Sequence, residues 1–146
     1  ITTWSMPLVP ACLLANSLMG GPIIACLGFA AASYAPAFPA WGRRLVGLSA
    51  AALAVNVALY VAMAGELLGA GNELASVAQL VPDFPLCLAA FAALGAAALC
   101  VAWRSLRFEG RRRVMVLSGA SALVLAGIFA MRFVFYMSHL TVGLGV

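Results

Sequence analysis

The sequence predicts an all-α fold, an integral membrane four-helix bundle, and three observations support that prediction. Apolar residues make up 66% of the 146 residues, charged residues only 8%, and the mean hydropathy is +1.12. Soluble proteins carry roughly 25% charged residues, so this chain would lack a polar surface in water. The apolar runs are also long and do not alternate with polar residues, which in lipid favours helices.

The first predicted transmembrane helix covers residues 8–33 and the second covers residues 45–68. Both are long enough to cross a bilayer, which takes about 20 apolar residues. The first contains Gly20, Gly21 and Pro22 in its middle. Because a proline inside a helix removes a backbone hydrogen bond, we expect a kink at this position. A short proline-containing loop separates the two helices.

The third predicted helix covers residues 86–103 and the fourth covers residues 114–138. A polar segment from Gly69 to Phe84, which includes Pro82, separates the second helix from the third. An arginine-rich connection separates the third helix from the fourth. The whole sequence is therefore predicted to be a single transmembrane domain.

The basic residues of the protein indicate how it crosses the membrane. All eight are arginines, and only Arg132 lies inside a predicted helix. The others flank the first and third connections, and the opposite side of the membrane carries no Arg or Lys. The positive-inside rule therefore predicts that both termini lie on the extracytoplasmic side of the membrane. Arginines beside apolar spans orient a membrane protein and do not suggest a nucleic-acid partner. The cytoplasmic set comprises Arg43, Arg44, Arg104, Arg107, Arg111, Arg112 and Arg113.

Charged residues inside a membrane are costly, and they commonly mark functional sites. Two occur here, Glu66 and Arg132, each in the outer third of its helix. Tyr136 and His139 follow Arg132 at spacings of four and three residues, which places them on one helix face. A guanidinium, a phenol and an imidazole along this face are suited to hydrogen-bond a quinone head group. His139 is suited to exchange protons with water.

Structural interpretations of the same residues remain open. Arg132 pairs with Glu66 if their role is to hold the second and fourth helices together. Tyr136 is then an aromatic residue of the membrane interface, and His139 is solvated at the surface. As a further alternative, Glu66 is the carboxylate of a small proton-coupled transporter.

Nothing in the sequence is typical of a catalytic or metal centre. The four cysteines lie in apolar runs without CxxC spacing, so we interpret them as packing residues. A single histidine cannot supply two axial ligands to a haem. No nucleophile has an evident base partner. We expect no catalytic residue, haem, iron–sulfur cluster or molybdenum on this chain.

Three stretches of sequence carry a family resemblance. They are Met-Gly-Gly-Pro at 19–22, Gly-Glu-Leu at 65–67 followed by Leu-Val-Pro-Asp-Phe at 80–84, and the segment 132–143. The last has the pattern Arg-x-x-Phe-Tyr-x-x-His-x-Thr-x-Gly. Together they resemble the membrane anchor subunit of dimethyl sulfoxide reductase-type molybdoenzymes. Members of that family have eight spans, and this chain resembles the second four. Since residue 1 is not Met, we expect a C-terminal half that lacks four N-terminal spans.

The resemblance implies an anchor that holds an iron–sulfur subunit and a molybdopterin catalytic subunit at the cytoplasmic membrane of a bacterium. Such an anchor binds and oxidises menaquinol and passes electrons to the iron–sulfur subunit in anaerobic respiration. The four quinol-binding candidates occupy positions of the family pattern. The family's established quinol residues, a histidine and a glutamate, have no counterpart here, so we do not expect activity from this chain alone. The resemblance also implies structural roles for Gly20, Gly21, Pro22 and Pro82.

Other functions remain compatible with the sequence. A purely structural membrane anchor would support assembly of an oxidoreductase complex without oxidising menaquinol. The anchor of a related polysulfide or nitrite reductase complex would use the same architecture. The proton-coupled transporter is the third alternative, because it needs only a titrating carboxylate in the membrane.

Overall fold

The computed structural model describes residues 8–33, 38–68 and 82–137, apart from the side chains of Pro39 and residues 66–68. This part of the protein forms four helices and contains no strand. All four are long and apolar enough to cross a membrane, so the predicted membrane four-helix bundle is confirmed. The helices are α1 (Leu8–Ala31), α2 (Phe38–Leu68), α3 (Phe84–Ser105) and α4 (Gly110–Met137).

Three of the four helices extend beyond the apolar segments that predicted them, chiefly at the end of the bundle that carries the arginines, whereas α1 ends at Ala31 rather than at residue 33. The second helix begins at Phe38 rather than at residue 45, and the fourth at Gly110 rather than at residue 114. Arginine is a good helix former, so a helix can continue past the hydrocarbon region into the head-group layer. We call this end, around Arg44, Arg104 and Arg112, the arginine-rich end, and the other the arginine-poor end.

The helices form a closed ring in which α1 packs on α2, α2 on α3, α3 on α4 and α4 on α1. Buried positions recur every seven residues along each helix, as in bundles whose helices cross at a small angle. In α2 the buried series is Gly42, Ser49, Asn56 and Met63. In α3 it is Phe84, Phe91, Ala98 and Ser105.

Small residues at these buried positions let the helices approach closely. A Cβ atom at Gly95 of α3 would lie 2.7 Å from a methyl group of Leu53 in α2. A Cβ atom at Gly20 of α1 would lie 3.2 Å from Ile128 in α4. Without a hydrophobic drive between helices in lipid, such close contact is the main source of association.

The predicted structural residues occupy different environments. Pro22 lies buried inside α1, which continues to Ala31. Gly20 is buried against α4, whereas Gly21 is exposed and has open space around it. Pro82 is exposed in the turn before α3. Of these four residues, Gly20 is the one at which a larger side chain would crowd a neighbouring helix.

Aromatic and arginine side chains order the arginine-rich end. Arg113 Nε donates a hydrogen bond of 2.6 Å to the carbonyl oxygen of Phe108, and its guanidinium lies 4.2 Å from the ring centroid of Phe38. Arg112 lies 4.3 Å from the ring of Phe108. Gly110 begins α4 with a φ of +52°, a conformation that glycine adopts without strain. Arg113 thus ties the α3–α4 connection to the first turn of α2.

Candidate functional site

A series of hydrogen-bonded polar side chains lies buried between α1 and α2. Asn56 Nδ2 donates to Asn16 Oδ1 at 2.6 Å, and Asn16 Nδ2 donates to the Tyr60 hydroxyl oxygen at 2.8 Å. The exposed fractions of these side chains are 0% for Asn56, 4% for Asn16 and 3% for Tyr60. The three residues therefore form one continuous polar network inside an otherwise apolar core.

This network has physical consequences in a bilayer. An amide buried in hydrocarbon is costly unless it finds a partner, and each hydrogen bond between membrane helices contributes about 0.6 kcal/mol. Asn16 uses both ends of its amide. Asn56 uses only its nitrogen, because its Oδ1 atom has no hydrogen-bond partner among the residues described. The network fixes the register of α1 against α2 and leaves one buried acceptor unsatisfied.

Tyr60 extends the network towards α3. Its ring meets the ring of Phe91 edge-on, with centroids 5.3 Å apart and an angle of 78° between the ring planes. Phe91 is itself completely buried. Because Asn16 holds the hydroxyl group and Phe91 holds the ring, Tyr60 has little rotational freedom. It presents a rigid polar surface to the space between α1, α2 and α4.

Arg132 of α4 lies at the edge of that space. It is half-buried, and it lines a small cavity near the arginine-poor end of the bundle. The cavity has a volume of about 10 Å³, which is about the space that one water molecule needs. Its walls are formed by Val9, Cys12, Tyr60, Met63, Arg132 and Phe135. Arg132 and Tyr60 therefore line one cavity.

An exposed aromatic face on α4 flanks Arg132. It consists of Phe129, Phe133 and Tyr136, which are 72%, 56% and 59% exposed and follow one another at spacings of four and three residues. Tyr136 also meets the ring of Phe135 edge-on at 5.9 Å. This arrangement offers flat apolar contact next to a strong hydrogen-bond donor. It is suited to hold an aromatic ring that carries oxygen substituents.

The structure describes two of the four predicted site residues completely, Arg132 and Tyr136. Arg132 lies in the site, beside a tyrosine and a cysteine, and Tyr136 lies on the exposed face one turn away. The backbone of Glu66 belongs to α2, one turn beyond Met63 of the cavity wall, but its side chain lies outside the described residues. His139 also lies outside them. The predicted pairing of Glu66 with Arg132 and the role of His139 therefore stay predictions.

Asn16, Asn56 and Tyr60 were not among the residues predicted from the sequence. The prediction depended on charged residues inside the spans, and these three side chains are neutral. A signal did exist, because Asn56 and Tyr60 lie four residues apart on one face of an apolar helix. A neutral amide in a membrane span is also uncommon enough to predict an interhelical hydrogen bond.

The chemistry available at the site is hydrogen bonding and positive charge. Within residues 8–33, 38–68 and 82–137, no three His, Cys, Asp or Glu side chains come together as metal ligands. The cysteines are free thiols, buried at Cys12 and Cys26. The described part of the site is therefore suited to bind and orient an oxygen-bearing ligand.

Comparison with known proteins finds a curated relative in Escherichia coli (strain K12), the C subunit of anaerobic dimethyl sulfoxide reductase. The two sequences are 33% identical over an alignment of 148 positions. The alignment covers 100% of this chain and 50% of that protein, so the chain spans about half the length of its relative. No protein-family model and no solved structure matches this chain.

Proposed function

This chain belongs to the family of the anaerobic dimethyl sulfoxide reductase C subunit, of which it spans one half, and we propose that it is the C-terminal half of a reductase membrane anchor. In this proposal the anchor holds an iron–sulfur subunit and a molybdopterin catalytic subunit at the bacterial cytoplasmic membrane. It oxidises menaquinol, and the electrons pass to the iron–sulfur subunit. The arginine-rich end faces the cytoplasm, and the quinol site lies near the opposite surface.

The observation that carries the proposal is a half-buried Arg132 between a fixed phenol and an exposed aromatic face. A guanidinium inside a membrane is costly, and such residues commonly mark pathways for substrates, ions or protons. Pure anchoring would not require a donor at this depth. The family membership suggests the class of ligand, and the arrangement of donors supports its proposed location.

The size of the cavity limits how menaquinol can bind. A volume of about 10 Å³ admits a water molecule and excludes a fused bicyclic ring. We therefore propose that the ring lies outside the cavity, against Phe133 and Tyr136, with one quinol oxygen directed at the guanidinium of Arg132. A water in the cavity then connects Arg132 to Tyr60. The second wall of the site belongs to the other half of the subunit.

Each residue has a distinct part in this arrangement. Menaquinol, when bound, supplies the electron pair. Arg132 donates a charge-assisted hydrogen bond to a quinol oxygen and stabilises that oxygen as its proton leaves. Asn16 holds Tyr60, and Tyr60 in turn restrains the position of Arg132 through the cavity. Oxidation releases two protons together with the electron pair, and we assign their exchange with water to His139, seven residues after Arg132 in the sequence.

The test compares quinol-driven with dye-driven turnover of the assembled reductase. In Arg132→Gln, we expect menaquinol-driven reduction to fall about 10- to 150-fold, the loss of a hydrogen bond from a charged donor. Viologen-driven reduction, which delivers electrons directly to the other subunits, should be unchanged. Arg111→Gln is the matched control, because it removes an exposed arginine at the far end. Equal quinol-driven rates in Arg132→Gln and the parent would refute the proposed site.

A structural anchor is the second candidate, favoured by the Asn56–Asn16–Tyr60 network. Such a network specifies a bundle whether or not any ligand binds. This function predicts that Arg132→Gln lowers the amount of assembled complex and lowers both activities in proportion. Arg132→Lys helps to distinguish the quinol-oxidising function from the structural one, since it keeps the charge while changing the geometry of the donor. A selective loss of quinol turnover in both variants would exclude the purely structural function.

A further inference from the structure

An apolar groove runs along the outside of the bundle between α2 and α3, far from the candidate quinol site. Its volume is about 510 Å³, within the range of roughly 300–1,000 Å³ common for ligand sites. α2 contributes small residues to it and α3 contributes larger ones. The walls include Val46, Gly47, Ala50, Leu99, Trp103 and Arg104.

The groove ends in positive charge at the arginine-rich end. Arg104 lies at its mouth and is exposed, and within the described residues no carboxylate lies in salt-bridge range of it. Arg43 lies one helical turn before Gly47, on the face of α2 that lines the groove. Trp103 is 50% exposed beside Arg104, and tryptophan is enriched at membrane interfaces.

We propose that this groove binds an anionic phospholipid, with an acyl chain between α2 and α3 and the phosphate on Arg104. Three features of the groove support this proposal: its apolar walls, a cation at its end and a tryptophan beside that cation. Basic pockets between transmembrane helices on the cytoplasmic side are suited to anionic head groups. The proposal does not depend on the quinol function.

A second groove has the same apolar walls but lacks the charge. It lies between α1 and α2 and has a similar volume of about 480 Å³. Only apolar side chains line it, among them Leu14, Ala51 and Val55, and no charged residue is among its walls. Any lipid tail can occupy such a cleft without selection for its head group. The two grooves therefore form a matched pair on opposite sides of α2.

The test is a lipid titration of the purified protein, in its assembled complex, followed by native mass spectrometry. The probes are phosphatidylglycerol and phosphatidylcholine with identical acyl chains. We expect the first bound phosphatidylglycerol to bind more tightly than phosphatidylcholine. Arg104→Gln should weaken phosphatidylglycerol about fivefold and leave phosphatidylcholine unchanged, whereas Arg104→Lys should retain the preference. Arg111→Gln, on the same membrane face outside the groove, should behave like the parent.

Filling each groove supplies the second arm of the experiment. Ala50→Leu places a large side chain in the α2–α3 groove and should abolish the tight phosphatidylglycerol site. Ala51→Leu, one residue along the same helix, fills the α1–α2 groove and should leave that site intact.

Three results would overturn the proposal. The first is equal affinity of the parent for the two lipids. The second is an equal loss in Arg111→Gln and Arg104→Gln, which would indicate diffuse attraction to the membrane surface. The third is unchanged binding in Ala50→Leu, which would mean that the phosphatidylglycerol site lies outside the groove. Should Arg104→Gln fail to fold, the Arg104→Lys and Ala50→Leu titrations still decide the question.

Discussion

Replacing the two buried asparagines singly and together should show unequal and coupled losses of stability. Asn16 makes two hydrogen bonds, one as donor and one as acceptor, whereas Asn56 makes one and also buries an acceptor that has no described partner. Asn16→Leu removes the hydrogen-bond partner of the Asn56 amide and of the Tyr60 hydroxyl group. Asn56→Leu breaks one bond and removes the unsatisfied oxygen at the same time.

These differences set the expected magnitudes. A hydrogen bond between membrane helices is worth about 0.6 kcal/mol, with a maximum near 1.7 kcal/mol. A buried group left without its partner costs about 1–3 kcal/mol. We therefore expect Asn16→Leu to cost about 2 kcal/mol and Asn56→Leu about 0.5 kcal/mol. The double variant should cost less than the sum of the single variants, because neither amide then remains unpaired in the core.

The assay is equilibrium unfolding in mixed micelles, in which a denaturing detergent is titrated and helix content is followed by circular dichroism. The four proteins form a double-mutant cycle, and the coupling free energy should lie between about 0.6 and 1.7 kcal/mol. Leu125→Ala, which truncates a half-exposed side chain on α4, serves as a control for general sensitivity. Additive losses, or a larger loss for Asn56→Leu than for Asn16→Leu, would refute the reasoning.

Three further predictions concern packing, the arginine-rich end and the aromatic face. Gly95→Leu should destabilise the bundle by about 1–3 kcal/mol in the same unfolding assay, because Leu53 must move, while Gly119→Leu, with open space around it, should not. Arg113→Met should cost about 1–3 kcal/mol, because it removes a charged hydrogen bond and a ring contact; a loss below about 0.5 kcal/mol would contradict the geometry. Phe133→Ala should raise the KM for menaquinol about tenfold at unchanged stability, since its ring is exposed and in the proposed arrangement packs on the quinol.

The number and positions of the helices could be predicted because the bilayer dictates them. A run of about 20 apolar residues has no stable alternative in lipid except a helix. The start of α2 at Phe38 could not be read from hydropathy, since Arg43 and Arg44 mark the edge of the hydrocarbon and not the end of a helix. Hydropathy indicates which residues lie in the hydrocarbon of the bilayer, whereas the ends of a helix are set by its backbone hydrogen bonds.

The inward face of each helix was much harder to predict. In a soluble bundle the core face is the apolar face, but here the lipid-facing side is apolar as well. Phe129 is 72% exposed and Phe91 is fully buried, although the two side chains are identical. The distinguishing signal is the presence of small and neutral polar residues, such as Gly95, Asn16 and Asn56, which face the core. Charge as a signal identifies Arg132, but it does not identify the neutral residues Asn16, Asn56 and Tyr60.

The most direct test of the proposed function measures electron transfer from menaquinol to the iron–sulfur subunit in the assembled complex. Rapid mixing with menaquinol, followed by spectroscopy of the clusters, reports this step without turnover of the terminal acceptor. We predict that the clusters of the parent complex become reduced, and that Arg132→Gln slows this step at least about tenfold. A chemical reductant should reduce the clusters equally in both complexes. Equal rates with menaquinol would contradict the proposal that this half of the anchor takes part in quinol oxidation.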